Sequence, residues 1–159
     1  MKVTALIVVL GLVAGALTSK PEAVLNVFGN VAETVKWQIG LPFNLIGTEE
    51  FTTNFIPFTI EGKTIQVALG FKLSASGDDG KLQFRLHSKQ DQGQEYDVKI
   101  TGKYVLTTPE GKEYSTYPYS ASMSTRSPAS EWVSTETKKV IKDELLKDGY
   151  LLVTIEFNY

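Results

Sequence analysis

The chain is 159 residues long with a formal net charge of -2, one histidine, no cysteine, 42% hydrophobic and 11% aromatic residues, the composition of one ordinary globular domain. The missing cysteine excludes disulfides, thiolate metal sites and cysteine nucleophiles, and the single histidine excludes a multi-histidine metal centre. Mild acidity, with basic residues spread along the chain, leaves no footprint for nucleic acid, so the composition favours binding over catalysis and calls for no cofactor.

The amino terminus reads first. Met1 and Lys2 form a short positive start, Val3 to Leu17 is uncharged and apolar, and the run ends in the small residues Ala14-Gly15-Ala16. This is the layout of a secretory signal peptide over residues 1–19, cleaved after Ala16 or Ser19. About 15 apolar residues fall short of the roughly 20 that span a bilayer. A secreted, extracellular protein is therefore expected, with no membrane span once the leader is removed. Residues 20–30 form a lead-in, and the folded domain covers 31–159; Ala23 to Ala32, just after the expected cleavage site, reads as a short helix or a loose approach.

From there period-two alternation dominates, the pattern of strands with one buried face. A first strand runs from Thr34 to Ile39 around Trp37. Phe51 to Ile60 is a second, in which Pro57 argues for an edge or a bend. Ile65, Val67, Leu69, Phe71 and Leu73 then share one face, against Gln66, Ala68, Gly70 and Lys72 on the other. Leu82, Phe84 and Leu86 repeat the pattern against Lys81, Gln83, Arg85 and His87. Val98, Ile100, Tyr104 and Leu106 follow, with Gly102 as a candidate bulge. In Tyr114 to Ser124, the residues Tyr117, Tyr119, Ala121 and Met123 share a face. The last run is Leu151, Val153, Ile155, Phe157 and Tyr159.

Gly77-Asp78-Asp79-Gly80, the polar stretch Lys89 to Gln94 and Thr108 to Gly111 supply turns between neighbouring strands, so antiparallel hairpins follow. Thr135 to Lys147 breaks the alternation: Val140, Ile141, Leu145 and Leu146 have helical spacing, and Asp148-Gly149 ends the helix. The expectation is an all-β antiparallel sandwich or barrel of seven to eight strands, with one short helical crossover before the last strand.

Catalytic chemistry has little to build on. His87 lies on the polar face of its strand, and no Gly-x-Ser-x-Gly elbow presents a serine. Glu49-Glu50 and Asp143-Glu144 are sequence neighbours rather than carboxylates poised across a cleft. Asp78-Asp79 offers too few oxygens for calcium, which takes six to eight. Neither a metal site nor an enzyme is expected.

The residues Val35-Lys36-Trp37-Gln38-Ile39, then Trp132, then Lys138 to Leu146, then Asp148-Gly149-Tyr150-Leu151 leading into Val153 to Phe157 resemble the meprin and tumour-necrosis-factor-receptor-associated-factor homology domain, the MATH domain, over about Val31 to Tyr159. The resemblance implies an eight-stranded antiparallel sandwich that recognises short peptide segments of partner proteins in a shallow groove across one sheet. Tyr104, Tyr117, Tyr119 and Trp132 are the positions that match such a groove. The sequence departs from the family where Val133, not glycine, follows Trp132, and where about three extra residues separate Trp132 from Val140-Ile141. Alternation also puts Tyr117 and Tyr119 on the face of Met123, a core reading that competes with ligand contact, and Trp37 reads as core. Trp132, beside the serine-rich Ser120 to Ser130, is the exposed aromatic candidate.

Two functions follow as expectations. One is a secreted, non-enzymatic module that binds a protein or peptide partner. The alternative is a secreted β-sandwich that binds carbohydrate or a small apolar ligand.

Overall fold

The computed structural model describes residues 24–31, 34–60, 63–90 and 93–158; the expected leader lies outside them. Among the described residues, eleven strands build two antiparallel sheets. The first sheet runs, in spatial order, β1 (Val24–Val31), β2 (Thr34–Pro42), β11 (Tyr150–Asn158), β7 (Asp97–Thr107) and β8 (Glu113–Ser124), with the short β10 (Leu146–Lys147) also paired to β11. The second runs β3 (Phe51–Thr52), β5 (Lys63–Leu73), β6 (Lys81–Lys89) and β9 (Val133–Thr137), and β4 (Ile56–Ile60) pairs with β5 as well. Together they form an all-β sandwich.

Alternation decides what lies between the sheets. Ile65, Val67, Leu69, Phe71 and Leu73 from β5 and Leu82, Phe84 and Leu86 from β6 are all buried. They face Trp37, Ile39 and Leu41 of β2, Leu151, Val153, Ile155 and Phe157 of β11, and Ile100, Tyr104 and Leu106 of β7, which are buried too. Burying each such side chain contributes about 1.5–3 kcal/mol, so this layer stabilises a domain that has no disulfide. Aromatic rings join the two sheets: Phe58 meets Phe157 at 4.8 Å between centroids, and Phe84 meets Tyr104 at 5.1 Å.

The structure departs from the expectations at four places. The lead-in reading of Ala23 to Ala32 gives way to a strand, because Val24–Val31 pairs antiparallel with β2, the next strand in the chain, Val24 opposite Gly40 and Val31 opposite Thr34; the ladder overrides a weak local preference. Phe51 to Ile60 is two strands rather than one, and Pro57 lies in β4, on the margin of β5. Gly102 makes no bulge: it stands in continuous register opposite Tyr119 and Phe157, and the β7–β8 shift falls at Leu106/Thr107 instead. The helix starts three residues later than its pattern, since Val133–Thr137 pairs with β6 as a strand.

That helix is one α turn, Lys138–Val140, opening into a wider π turn over Ile141–Leu145. The Thr137 hydroxyl caps it by accepting from the Val140 N–H at 3.3 Å. Ile141 and Leu145 are buried, as their spacing predicts. Asp148 and Gly149, both at positive φ (52° and 83°), reverse the chain into β11.

Candidate functional site

The outer face of the second sheet gathers the charged and aromatic side chains. On β5 this face carries Gln66, Ala68, Gly70 and Lys72; the register sets Gly70 opposite Arg85 and Ala68 opposite His87 on β6. Two small residues side by side leave a hollow in the sheet surface. Glu50 fills it.

Glu50 arrives there by strand geometry. Phe51 points inward and stacks on Phe71 with centroids 6.2 Å apart, so its neighbour faces out. Thr53 fastens the segment, its N–H donating to the Leu69 carbonyl at 2.9 Å and its hydroxyl accepting from the Leu69 N–H at 2.9 Å. The Glu50 carboxylate then passes over Gly70 and reaches the third strand. Arg85 donates to it through Nη2 at 2.6 Å and Nε at 3.0 Å, and His87 Nε2 stands 2.7 Å from Oε2. A Cβ on Gly70 would collide with the Glu50 carboxylate and crowd the His87 ring. Burial alone raises the Glu50 pKa, but the hydrogen bonds and charges of Arg85 and His87 outweigh it and hold the carboxyl below its ordinary range.

Trp132 completes the face. Ala129 bridges to His87 and Val133 pairs with Phe84, so three residues, Ser130 to Trp132, oppose only Arg85 and Leu86. The extra residue makes a bulge at Ser130-Glu131; Trp132 itself faces outward because its neighbour Val133 packs inward against the core. The Ser130 N–H donates to the Leu86 carbonyl at 2.8 Å and holds the bulge in place. The Trp132 ring lies 4.4 Å from the Arg85 guanidinium carbon and 4.7 Å from Lys72 Nζ, measured to its centroid, both cation–π contacts. Farther along, Lys89 Nζ stands 4.4 Å from the Phe55 centroid, beside an open hollow of about 590 Å³ bounded by Asn54, Phe55, Gln66 and Lys89.

The four residues singled out from the sequence do not come together. Tyr104 is fully buried and Tyr119 is 8% exposed, and their rings stack 4.7 Å apart between the sheets. Tyr119 donates to the Glu156 carbonyl at 2.8 Å. Among the described residues the Tyr104 hydroxyl makes no hydrogen bond of ordinary geometry. Burial pushes both phenols far above the ordinary tyrosine range, with the nearby Ser130 hydroxyl opposing the effect at Tyr104 and the neighbouring Tyr104 and Glu156 adding to it at Tyr119. Tyr117 is half-buried against the core and accepts from the Ser115 hydroxyl at 3.0 Å. Trp132 alone of the four faces outward on the second sheet.

Glu50, Arg85 and Lys72 are the site residues that sequence reasoning passed over. The signal for them is the pair Ala68 and Gly70: two small residues on the polar side of a strand mark a place where something else must lie.

A second depression, about 470 Å³, lies on the outer face of the first sheet, bounded by Gln38, Gly40, Thr107, Lys147, Tyr150 and Leu152. Among the described residues no group of three or more His, Asp or Glu side chains is placed to hold a metal ion. Asp78 is engaged by Lys142 Nζ at 3.3 Å, and Asp143 by Lys139 Nζ at 2.7 Å. No helix among the described residues is long and apolar enough to cross a membrane. No family model matches the chain, and no curated protein matches it either.

Proposed function

We propose that the chain is a secreted, non-enzymatic protein-binding module of MATH-like design, which holds a short extended segment of a partner protein against β9 and the outer face of the second sheet. Trp132 is the anchor. The observation that carries this reading is its setting: a partly buried tryptophan on the outer face at a sheet margin, in contact with Arg85 and Lys72. Rigid aromatic and arginine side chains in such a position dominate the energetics of protein recognition.

The sheet margins support the same reading. Pro118 in the edge strand β8 and Pro57 in the margin strand β4 each remove a backbone donor, which discourages strand addition there. β1 and β9, which end the first and second sheets, carry no proline, and of the two it is β9 that lies next to Trp132. An extended segment added along β9 would gain main-chain hydrogen bonds, with alternate side chains turned toward Trp132.

The test is selection of a random peptide library on the purified domain, followed by mapping of amide shifts on the labelled protein. Shifts centred on Lys72, Arg85 and the Trp132 indole are expected, and Trp132→Ala should weaken binding by at least tenfold. The small-ligand alternative has one observation in its favour, the depression beside Gly40 and Tyr150. Shifts centred there, or a positive glycan array with no peptide enriched, would overturn the peptide reading.

A further inference from the structure

We propose that Arg85 and His87 form an oxoanion-binding fork that Glu50 occupies in the free protein, and that an acidic group of the bound segment, a carboxylate or a phosphate, displaces Glu50 from it. The inference rests on the peptide-binding reading above and names the chemistry that the face recognises.

The geometry of the fork is that of ligand recognition. Two parallel N–H donors from one guanidinium, Nη2 and Nε, engage the two oxygens of one carboxylate, the arrangement by which arginine selects planar or tetrahedral oxoanions. His87 adds a third donor when its proton is on Nε2, at 2.7 Å from Oε2. A phosphate oxygen in place of Oε2 would meet the same two donors.

The fork does not depend on Glu50 for its shape. The Arg85 plane is also held by Trp132 at 4.4 Å, and both Arg85 and His87 stand on β6, a strand paired on both sides. Lys72, 4.7 Å from the same indole, leaves the face positive once Glu50 withdraws. Glu50, by contrast, is the tip of a flexible side chain on the residue before β3. Its carboxylate rests on Gly70, in the open outer surface of the sheet, with 23% of its side chain exposed and 26% of that of Arg85. The pair is partly open to water and bidentate, at the upper end of what surface pairs contribute, so an incoming anion exchanges with Glu50 at a penalty of about fivefold in affinity.

The site also has a requirement that a mere surface ion pair lacks. A central strand disfavours glycine, yet only glycine at position 70 leaves room for an oxoanion between β3 and β6.

The experiment titrates inorganic phosphate, a hexaglutamate peptide and a phosphoserine peptide of the same length into the full chain, read by the Trp132 indole resonance. Glu50→Gln is expected to tighten binding of at least one probe about fivefold, Arg85→Gln and Arg85→Lys to weaken it at least tenfold, and Glu49→Gln, which removes a neighbouring exposed charge, to change it less than twofold. The tighter of the carboxylate and phosphate probes identifies the source of the anion. Equal tightening in Glu49→Gln and Glu50→Gln, no tightening in Glu50→Gln, or full binding in both Arg85 variants would overturn the proposal. Unfolding curves followed at the buried Trp37 show that each variant is folded. Because phosphate needs no peptide, loss of this effect with Trp132-dependent peptide binding intact sinks the fork alone; loss of peptide binding at Trp132 sinks the underlying reading.

Discussion

Each sheet contains a glycine in a strand paired on both sides, and over each glycine a side chain from one side, in or just before the neighbouring strand, crosses to the strand on the other. At Gly102 in β7 the crossing group is Tyr119 of β8, whose hydroxyl donates to the Glu156 carbonyl of β11 at 2.8 Å. At Gly70 in β5 it is Glu50, which reaches Arg85 and His87 on β6. The first crossing faces the core and uses a neutral phenol that burial keeps protonated. The second faces water and uses a charge. The contrast separates a fastening from an exchangeable contact: in the interior a polar group must keep its partner, because losing it leaves a buried acceptor unsatisfied, whereas at the surface water or a ligand can replace either partner.

The two glycines should therefore respond differently to one added methyl group. Gly102→Ala has the largest expected effect, a loss of about 3 kcal/mol in urea unfolding, because the new Cβ meets the Glu156 backbone carbonyl and the Tyr119 hydroxyl. An equal loss in Gly70→Ala would break the comparison. Tyr119→Phe comes next: it removes the donor while keeping the ring, and should cost about 1 kcal/mol by the same measurement.

Gly70→Ala should cost about 0.5 kcal/mol or less. Expelling the Glu50 carboxylate forfeits a partly buried ion pair worth about 1 kcal/mol, and alanine recovers about 0.5 kcal/mol by being less flexible when unfolded. The variant should instead lose the Glu50-dependent shifts of the Arg85 side chain.

The smallest effect is a pH dependence. The Glu50 carboxyl is held below its ordinary 4.5 in the folded protein, so its contribution is complete above that value and is lost as pH falls through the lower folded value. The difference in urea midpoint between the native protein and Glu50→Gln should shrink between pH 7 and pH 3. A difference that grows on acidification would contradict the assignment.

Much of the fold was readable from side-chain period. Ile65 to Leu73, Leu82 to Leu86 and Leu151 to Phe157 alternate cleanly, and each places its apolar residues in the core. Alternation failed where pairing, not pattern, made the strand: β1 has no such signal and exists by its ladder to β2. The candidate site was less readable. His87 was correctly placed on a polar face, but its partner Glu50 is 37 residues away in sequence, and nothing local links them. Tyr117 and Tyr119 fit both groove and core by sequence, because period reveals that residues share a face without revealing which face meets the other sheet.

The sequence by itself determined that this is an antiparallel, cysteine-free β structure with a helical step before its last strand, since strand period, turn residues and helix spacing are properties of neighbouring residues. Only the tertiary structure decided which strands lie side by side, and hence that Glu50 crosses Gly70 to Arg85, that Tyr119 crosses Gly102 to the carbonyl of Glu156, and that Trp132 lies against Arg85 and Lys72. Those contacts join segments far apart along the chain, and their energies depend on strand order and register, which a period of two leaves open.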